Sequence, residues 1–104
     1  MHGTIRRYEG IDQARTSELV KKADESLLPR LSDLPGFSGY YLIEADNGVM
    51  SSIGFFDTAA QADESTRIAS TWVREEKLEA ALPHPPMITS GEVVVHKMRE
   101  LVQA

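Results

Sequence analysis

The sequence contains no cysteine. That absence removes disulfide staples, thiolate nucleophiles and thiolate metal sites together, and leaves no redox compartment to be read from the chain. Long apolar runs are missing too: none approaches the ~18 residues of a membrane span, and the opening MHGTIRRYEG lacks the apolar core of a signal peptide. A cytoplasmic protein with no membrane partner is the expectation. Basic charge is scarce, with 11 Lys and Arg against 16 Asp and Glu for a net charge of -5. Only Arg6-Arg7 and Lys21-Lys22 are adjacent basic pairs, so a phosphate backbone is repelled and nucleic acid is not an expected partner. No internal repeat, low-complexity tract or linker divides the chain, and 104 residues make one domain over 1–104, two layers thick.

What is present alternates between two periodicities. Thr4, Ile5 and Tyr8 favour extended backbone and stop at Gly10, which predicts a first strand over His2 to Glu9. Asp12 can cap a helix beginning just after it. Val20, Ala23, Leu27, Leu31 and Leu34, widened by Leu19 and Leu28, recur at the spacing of an amphipathic helix. Pro29 lies inside that stripe, so the helix is expected to kink there or end near Leu28. The flanks Gly39 to Glu44 and Val49 to Phe56 surround Asp46-Asn47-Gly48, residues that tolerate positive φ, and predict a hairpin. Thr58-x-x-Gln61 has the capping-box pattern, and Ala62, Ile68, Trp72 and Val73 supply the apolar stripe of a second helix that should end before Pro83. On that helix Asp63 and Arg67 are spaced for an i,i+4 pair. Glu92 to His96 (EVVVH) reads as the last strand, starting as early as Met87. The tail KMRELVQA can form a helical turn or swap onto a neighbour.

The order β-α-β-β-α-β is the split βαβ of a ferredoxin-like α+β fold: a four-stranded antiparallel sheet with two helices on one face. A sheet with one wet face should alternate apolar and polar residues. The hairpin does not: Tyr41, Ile43, Ile53 and Phe55 fall on one side, and Tyr40, Leu42, Met50 and Phe56 on the other. A monomer covers only one of these sets, and an exposed apolar patch of that size marks an interaction site. A homodimer joined through the open sheet faces, with an eight-stranded barrel inside and helices outside, accounts for both.

The chain resembles the dimeric α+β barrels of the antibiotic-biosynthesis-monooxygenase type. The likeness rests on length, element order, Pro35-Gly36-Phe37 leading into Gly39-Tyr40-Tyr41, Phe56-Asp57 before an alanine-rich helix start, and Pro83 to Gly91 entering the last strand. These mark fold rather than chemistry. The resemblance implies a cofactor-independent monooxygenase-like protein acting on a small aromatic compound, or alternatively a non-catalytic small-molecule-binding or structural homodimer. Haem-degrading relatives use an asparagine, a tryptophan and a histidine on the second helix. Here the only asparagine, Asn47, sits in the hairpin turn and residues 58 to 82 contain no histidine, so no cofactor is expected.

The ligand-binding candidates are Trp72, Tyr40, Tyr41, Phe55 and Arg7. Trp72, the sole tryptophan, can stack on an aromatic ligand; its ordinary role on an apolar stripe is core packing. Tyr40 and Tyr41 are adjacent in a strand and must point to opposite faces, one to a cavity and the other to the dimer interface, in an order the sequence leaves open. Arg6 and Arg7 also face opposite ways, and an inward arginine can hold an anionic ligand where a surface one pairs with a carboxylate. His2, His84 and His96 are scattered at element ends, without the spacing of a metal site. The pairs Glu75-Glu76 and Asp63-Glu64 read as solvated helix faces. No phosphate loop or serine nucleophile elbow is present.

Overall fold

The computed structural model describes residues 1–99. β1 (His2–Tyr8) lies inside a four-stranded antiparallel sheet of order β2-β3-β1-β4, completed by β2 (Phe37–Ala45), β3 (Val49–Phe56) and β4 (Met87–Glu92). The helical segments are α1 (Thr16–Lys22), α2 (Leu28–Ser32) and α3 (Ala59–Glu75). This is the ferredoxin-like α+β arrangement.

Asp12 caps the entry to the first helical run, its carboxylate accepting from the Ala14 N–H at 3.1 Å. Pro29 does not end that run. Between α1 and α2 the backbone widens into a π-helical turn over Ala23–Leu27, and the Leu28 N–H reaches back five residues to the Ala23 carbonyl. A proline in a straight α-helix collides with the carbonyl four residues earlier; the widened turn relieves that contact and lets the helix continue. Leu19, Ala23, Leu27 and Leu31 all remain on the buried side.

The hairpin turns as predicted, with Asn47 at φ 62° and Gly48 at φ 72°, the paired left-handed residues of a tight connection. Tyr40 pairs with Gly54, Tyr41 with Ile53, Leu42 with Ser52 and Ile43 with Ser51, so the two apolar sets separate onto opposite faces. Of the helix-facing set, Tyr40, Leu42 and Met50 pack with Leu31, Ala69, Trp72 and Leu78, and Phe56 is fully buried against Phe37. On the other face Tyr41 and Ile43 are 51% and 49% exposed, with the Tyr41 and Phe55 rings edge to face at 6.4 Å.

Three boundaries and one pair differ from the sequence expectation. α3 ends at Glu75 rather than just before Pro83. Lys77 takes φ 56°, the Leu78 N–H bonds to the Val73 carbonyl at 2.9 Å and the Lys77 N–H to the Arg74 carbonyl at 3.1 Å; this is a Schellman stop with lysine where glycine is usual. The last strand is Met87–Glu92, and Val94 and Val95 are left 84% and 87% exposed. Their β-branched side chains favour a strand, but β1 begins at His2 and no neighbour extends past it; only the Val93 N–H finds Met1, at 2.9 Å to its carbonyl. The first strand stops at Tyr8, one residue before Glu9. Arg67 pairs with Glu64, Nε to Oε2 at 2.9 Å, not with Asp63, because the i,i+3 carboxylate meets its guanidinium first. In the tail, Lys97–Arg99 carry no regular structure; the rest of the KMRELVQA reading lies outside the described residues.

The capping box at the start of α3 is complete: Gln61 N–H to Thr58 Oγ1 at 3.2 Å and Thr58 N–H to Gln61 Oε1 at 3.1 Å. Gly36, at φ 79°, makes room for the Gln61 amide, which a side chain at that position would strike. Replacing Thr58 with Ala is expected to cost about 1 kcal/mol, read as a melting temperature lower by roughly 4–8 °C in thermal unfolding.

Candidate functional site

Strand alternation decides which side chains enter the layer between sheet and helices. On β1 these are Thr4, Arg6 and Tyr8, while Ile5 and Arg7 point to the open face. Opposite Arg6 in register stands Ser52 of β3. Arg6, Tyr8, Tyr40, Leu42 and Ser52 form the sheet-side wall of an inner chamber of about 40 Å³, closed from the helix side by Leu19, Ala23, Leu27 and Trp72.

Arg6 and Tyr8 also form the floor of a larger cleft of about 370 Å³. α3 contributes Thr66, Ser70, Val73 and Arg74 to it, and the proline-rich connection contributes Glu79 and Leu82 to Pro86. His84 is seated at this rim over Gly10; a side chain at Gly10, which has φ 68°, would stand 2.8 Å from the imidazole. The inner apolar and phenolic chamber and the ring-sized cleft are therefore neighbours that share Arg6, Tyr8 and Leu82 in their walls.

Arg6 is 2% exposed. Its Nη1 meets Ser65 Oγ and Thr66 Oγ1 of α3, each at a long 3.4 Å, and its Nε meets no partner. No carboxylate pairs with it among the described residues, although Arg7, Arg15, Arg30 and Arg67 all have one. Ser52, 3% exposed, neighbours the Tyr40 phenol but meets no partner at hydrogen-bonding geometry. Burial pushes the Tyr8 and Tyr40 phenols above their ordinary value of 10.0, with the Arg6 charge pulling back against it. Both are neutral hydroxyl donors at physiological pH.

The five sequence candidates divide between the two faces. Trp72 and Tyr40 line the inner chamber. Tyr41 and Phe55 lie on the open face, Phe55 beside Ile5 and Ile53 in a shallow depression. Arg7 is on the open face as well, tied to Glu9 at 3.0 Å. The inward arginine is Arg6. The Trp72 indole is also a structural link, its Nε1–H donating to Ser26 Oγ at 2.6 Å and so joining α3 to the π-helical turn. Arg6, Ser52 and Tyr8 are the site residues that the sequence candidates omit; the alternation of Thr4, Arg6 and Tyr8 along one strand face is the signal that links two of them.

No family model matches the sequence, and no curated protein matches it. Solved structures do share its fold. A protein of unknown function from Nitrosomonas europaea is 17% identical, with a TM-score of 0.74 over 95% of this chain and 94% of that one. A monooxygenase from Streptomyces coelicolor, solved in complex with the ligand nanaomycin D, is 15% identical, with a TM-score of 0.70 over 95% and 92%. A dimeric ferredoxin-like protein from an uncultured marine organism is 19% identical, with a TM-score of 0.67 over 95% and 92%. The chain is thus a ferredoxin-like α+β protein. In fold it resembles the antibiotic-biosynthesis-monooxygenase-like proteins, and at these identities the likeness is one of fold.

The raised phenols give a pH expectation. The folded protein holds these protons more tightly than the unfolded chain does, so their contribution is complete below the unfolded value near 10.0 and is lost as pH rises through the higher folded values. Denaturant titrations between neutral pH and about pH 11 should show stability falling at the alkaline end. The fall should be shallower in the Tyr8→Phe, Tyr40→Phe double variant.

Proposed function

We propose that the protein is a homodimer whose helix–sheet chamber and cleft take a small aromatic compound, and that it acts on it as a cofactor-independent monooxygenase. The observation that carries this reading is a ring-sized cleft sharing Arg6 and Tyr8 with an inner chamber walled by Trp72, Tyr8 and Tyr40. Fold likeness to a monooxygenase solved with nanaomycin D supports it. In this chemistry a phenol bearing a free para position reacts with O₂: one oxygen atom becomes the new quinone carbonyl, the other leaves as water, and the substrate supplies all the electrons. The chain's part is to orient the ring, keep bulk water out and hold the phenolic oxygen against fixed donors.

With 1-naphthol as probe, oxygen uptake should accompany formation of 1,4-naphthoquinone. Trp72→Phe, which shrinks the ring wall and removes its tie to Ser26, should lower the rate about tenfold, a loss of about 1.4 kcal/mol in transition-state stabilisation. Absence of uptake alongside a ligand-induced rise in melting temperature would favour the second reading, a binder without turnover. That reading draws on one observation: the Trp72 N–H is already committed to Ser26 and cannot address a substrate.

Dimerisation is supported by the open face, where Ile5, Tyr41, Ile43 and Met87 stay exposed in one copy, and by the dimeric state of a fold neighbour. The exposed Val94, Val95 and Met98 beyond β4 add apolar surface that a partner can cover. Sedimentation at micromolar concentration should give a dimer. Ile43→Lys should give a folded monomer with an unchanged far-ultraviolet spectrum, because the charge falls on the interface rather than in the core; a persistent dimer would remove the open face as the interface.

A further inference from the structure

A buried guanidinium without a counter-charge is expensive, and proteins ordinarily pair such groups. This chain has 16 carboxylate residues and brings them to four of its other arginines, yet Arg6 has none among the described residues. Two buried polar atoms without partners, Arg6 Nε and Ser52 Oγ, come from residues directly opposite each other across β1 and β3. Both residues line the inner chamber. Buried polar groups are nearly always satisfied, so two such atoms on facing residues point to a guest.

The guest's size is set by the two volumes. The inner chamber, about 40 Å³, accepts a carboxylate or a phenolate oxygen but not a ring. The neighbouring cleft of about 370 Å³, also lined by Arg6, accepts the ring. Water can occupy the inner chamber and satisfy hydrogen bonds, but it leaves the charge uncompensated. We propose that Arg6, with Ser52 opposite it, is an anion-recognition subsite that makes the chamber select negatively charged aromatic ligands over neutral ones of the same shape. The assignment rests on the chamber being an aromatic-ligand site.

The other charged or titratable groups facing the two spaces are Tyr8, Tyr40, Arg74, Glu79 and His84. Tyr8 and Tyr40 are neutral, and Arg74 and Glu79 stand on the exposed rim with opposite signs. Arg6 is therefore the one buried fixed charge among these groups.

The test uses the full-length protein and 4-nitrophenol, whose phenolate is coloured and whose phenol is not. Binding should lower the probe's apparent pKa by about one unit or more, which is tenfold tighter binding of the phenolate. Benzoate should displace the probe, and benzamide and sulfate should not. Arg6→Met, which replaces an unpaired charge with a side chain of similar length, should abolish the pKa change and the benzoate competition while melting no lower than the parent. Ser52→Ala should weaken benzoate several-fold. If Arg6→Met does not fold, Ser52→Ala and the benzoate–benzamide contrast on the parent decide the matter. The proposal is overturned if the probe binds with unchanged ionisation, if Arg6→Met gives the same change, if benzamide competes as well as benzoate, or if sulfate does, since the site then takes free anions. Failure of any aromatic to bind defeats the proposed function as well; binding without charge preference defeats this assignment alone. Turnover is not needed for either readout.

Discussion

Both faces of the sheet carry apolar side chains, and much of the structure depends on that constraint. On one side α1, α2 and α3 lay Leu19, Leu27, Leu31, Ala69 and Trp72 against the strands. On the other, Ile5, Tyr41, Ile43 and Met87 have no cover within one copy. A fold of this size cannot supply a third layer from its own chain. In the proposed homodimer the open face is a second source of apolar burial, which frees the helix-facing layer to carry the proposed ligand site.

That division of labour bears on the inner chamber. Thr4, Arg6, Ser52 and Ser65 are all buried polar residues, and they interrupt what would otherwise be a continuous apolar layer across β1, β3 and α3. Each polar group there forfeits hydrophobic contact. Sites that bind or react commonly carry such local losses of stability, offset elsewhere in the fold. The Trp72–Ser26 bond supplies part of the offset by fixing α3 to the widened turn that Pro29 makes necessary.

Much of the architecture was legible in the sequence because its signals are local. Asn47-Gly48 can form the turn that they do form, and Thr58 with Gln61 can cap the helix that they cap, whatever lies around them. The misread features depend on neighbours. Lys77 stops α3 in a conformation that its side chain gives no reason to expect, and Val93 to His96 fail to form a strand because β1 has no residues left to pair with them. The arginine pair shows the same limit at the site. Arg6 and Arg7 face opposite ways, and the parity that separates them is ordinarily set by the apolar residue beside them, here Ile5 on the Arg7 side. In a sheet apolar on both sides, that parity loses its meaning, and the helices take the Thr4–Arg6–Tyr8 face instead. Tyr41 and Phe55 are set apart from Trp72 and Tyr40 by the same choice.

The segment beyond β4 adds a kinetic consequence. Three consecutive valines, of which Val94 and Val95 are almost wholly exposed, have the extended preference and the uncharged run that let a chain recruit any unpaired strand edge. His96 and Lys97 come directly after them, and a lysine beside such a run acts as a gatekeeper against indiscriminate stacking. If the proposed homodimer covers these valines, biosynthesis sets native pairing in competition with recruitment by another strand edge. In that assembly, subunit encounter matters to solubility as well as to architecture.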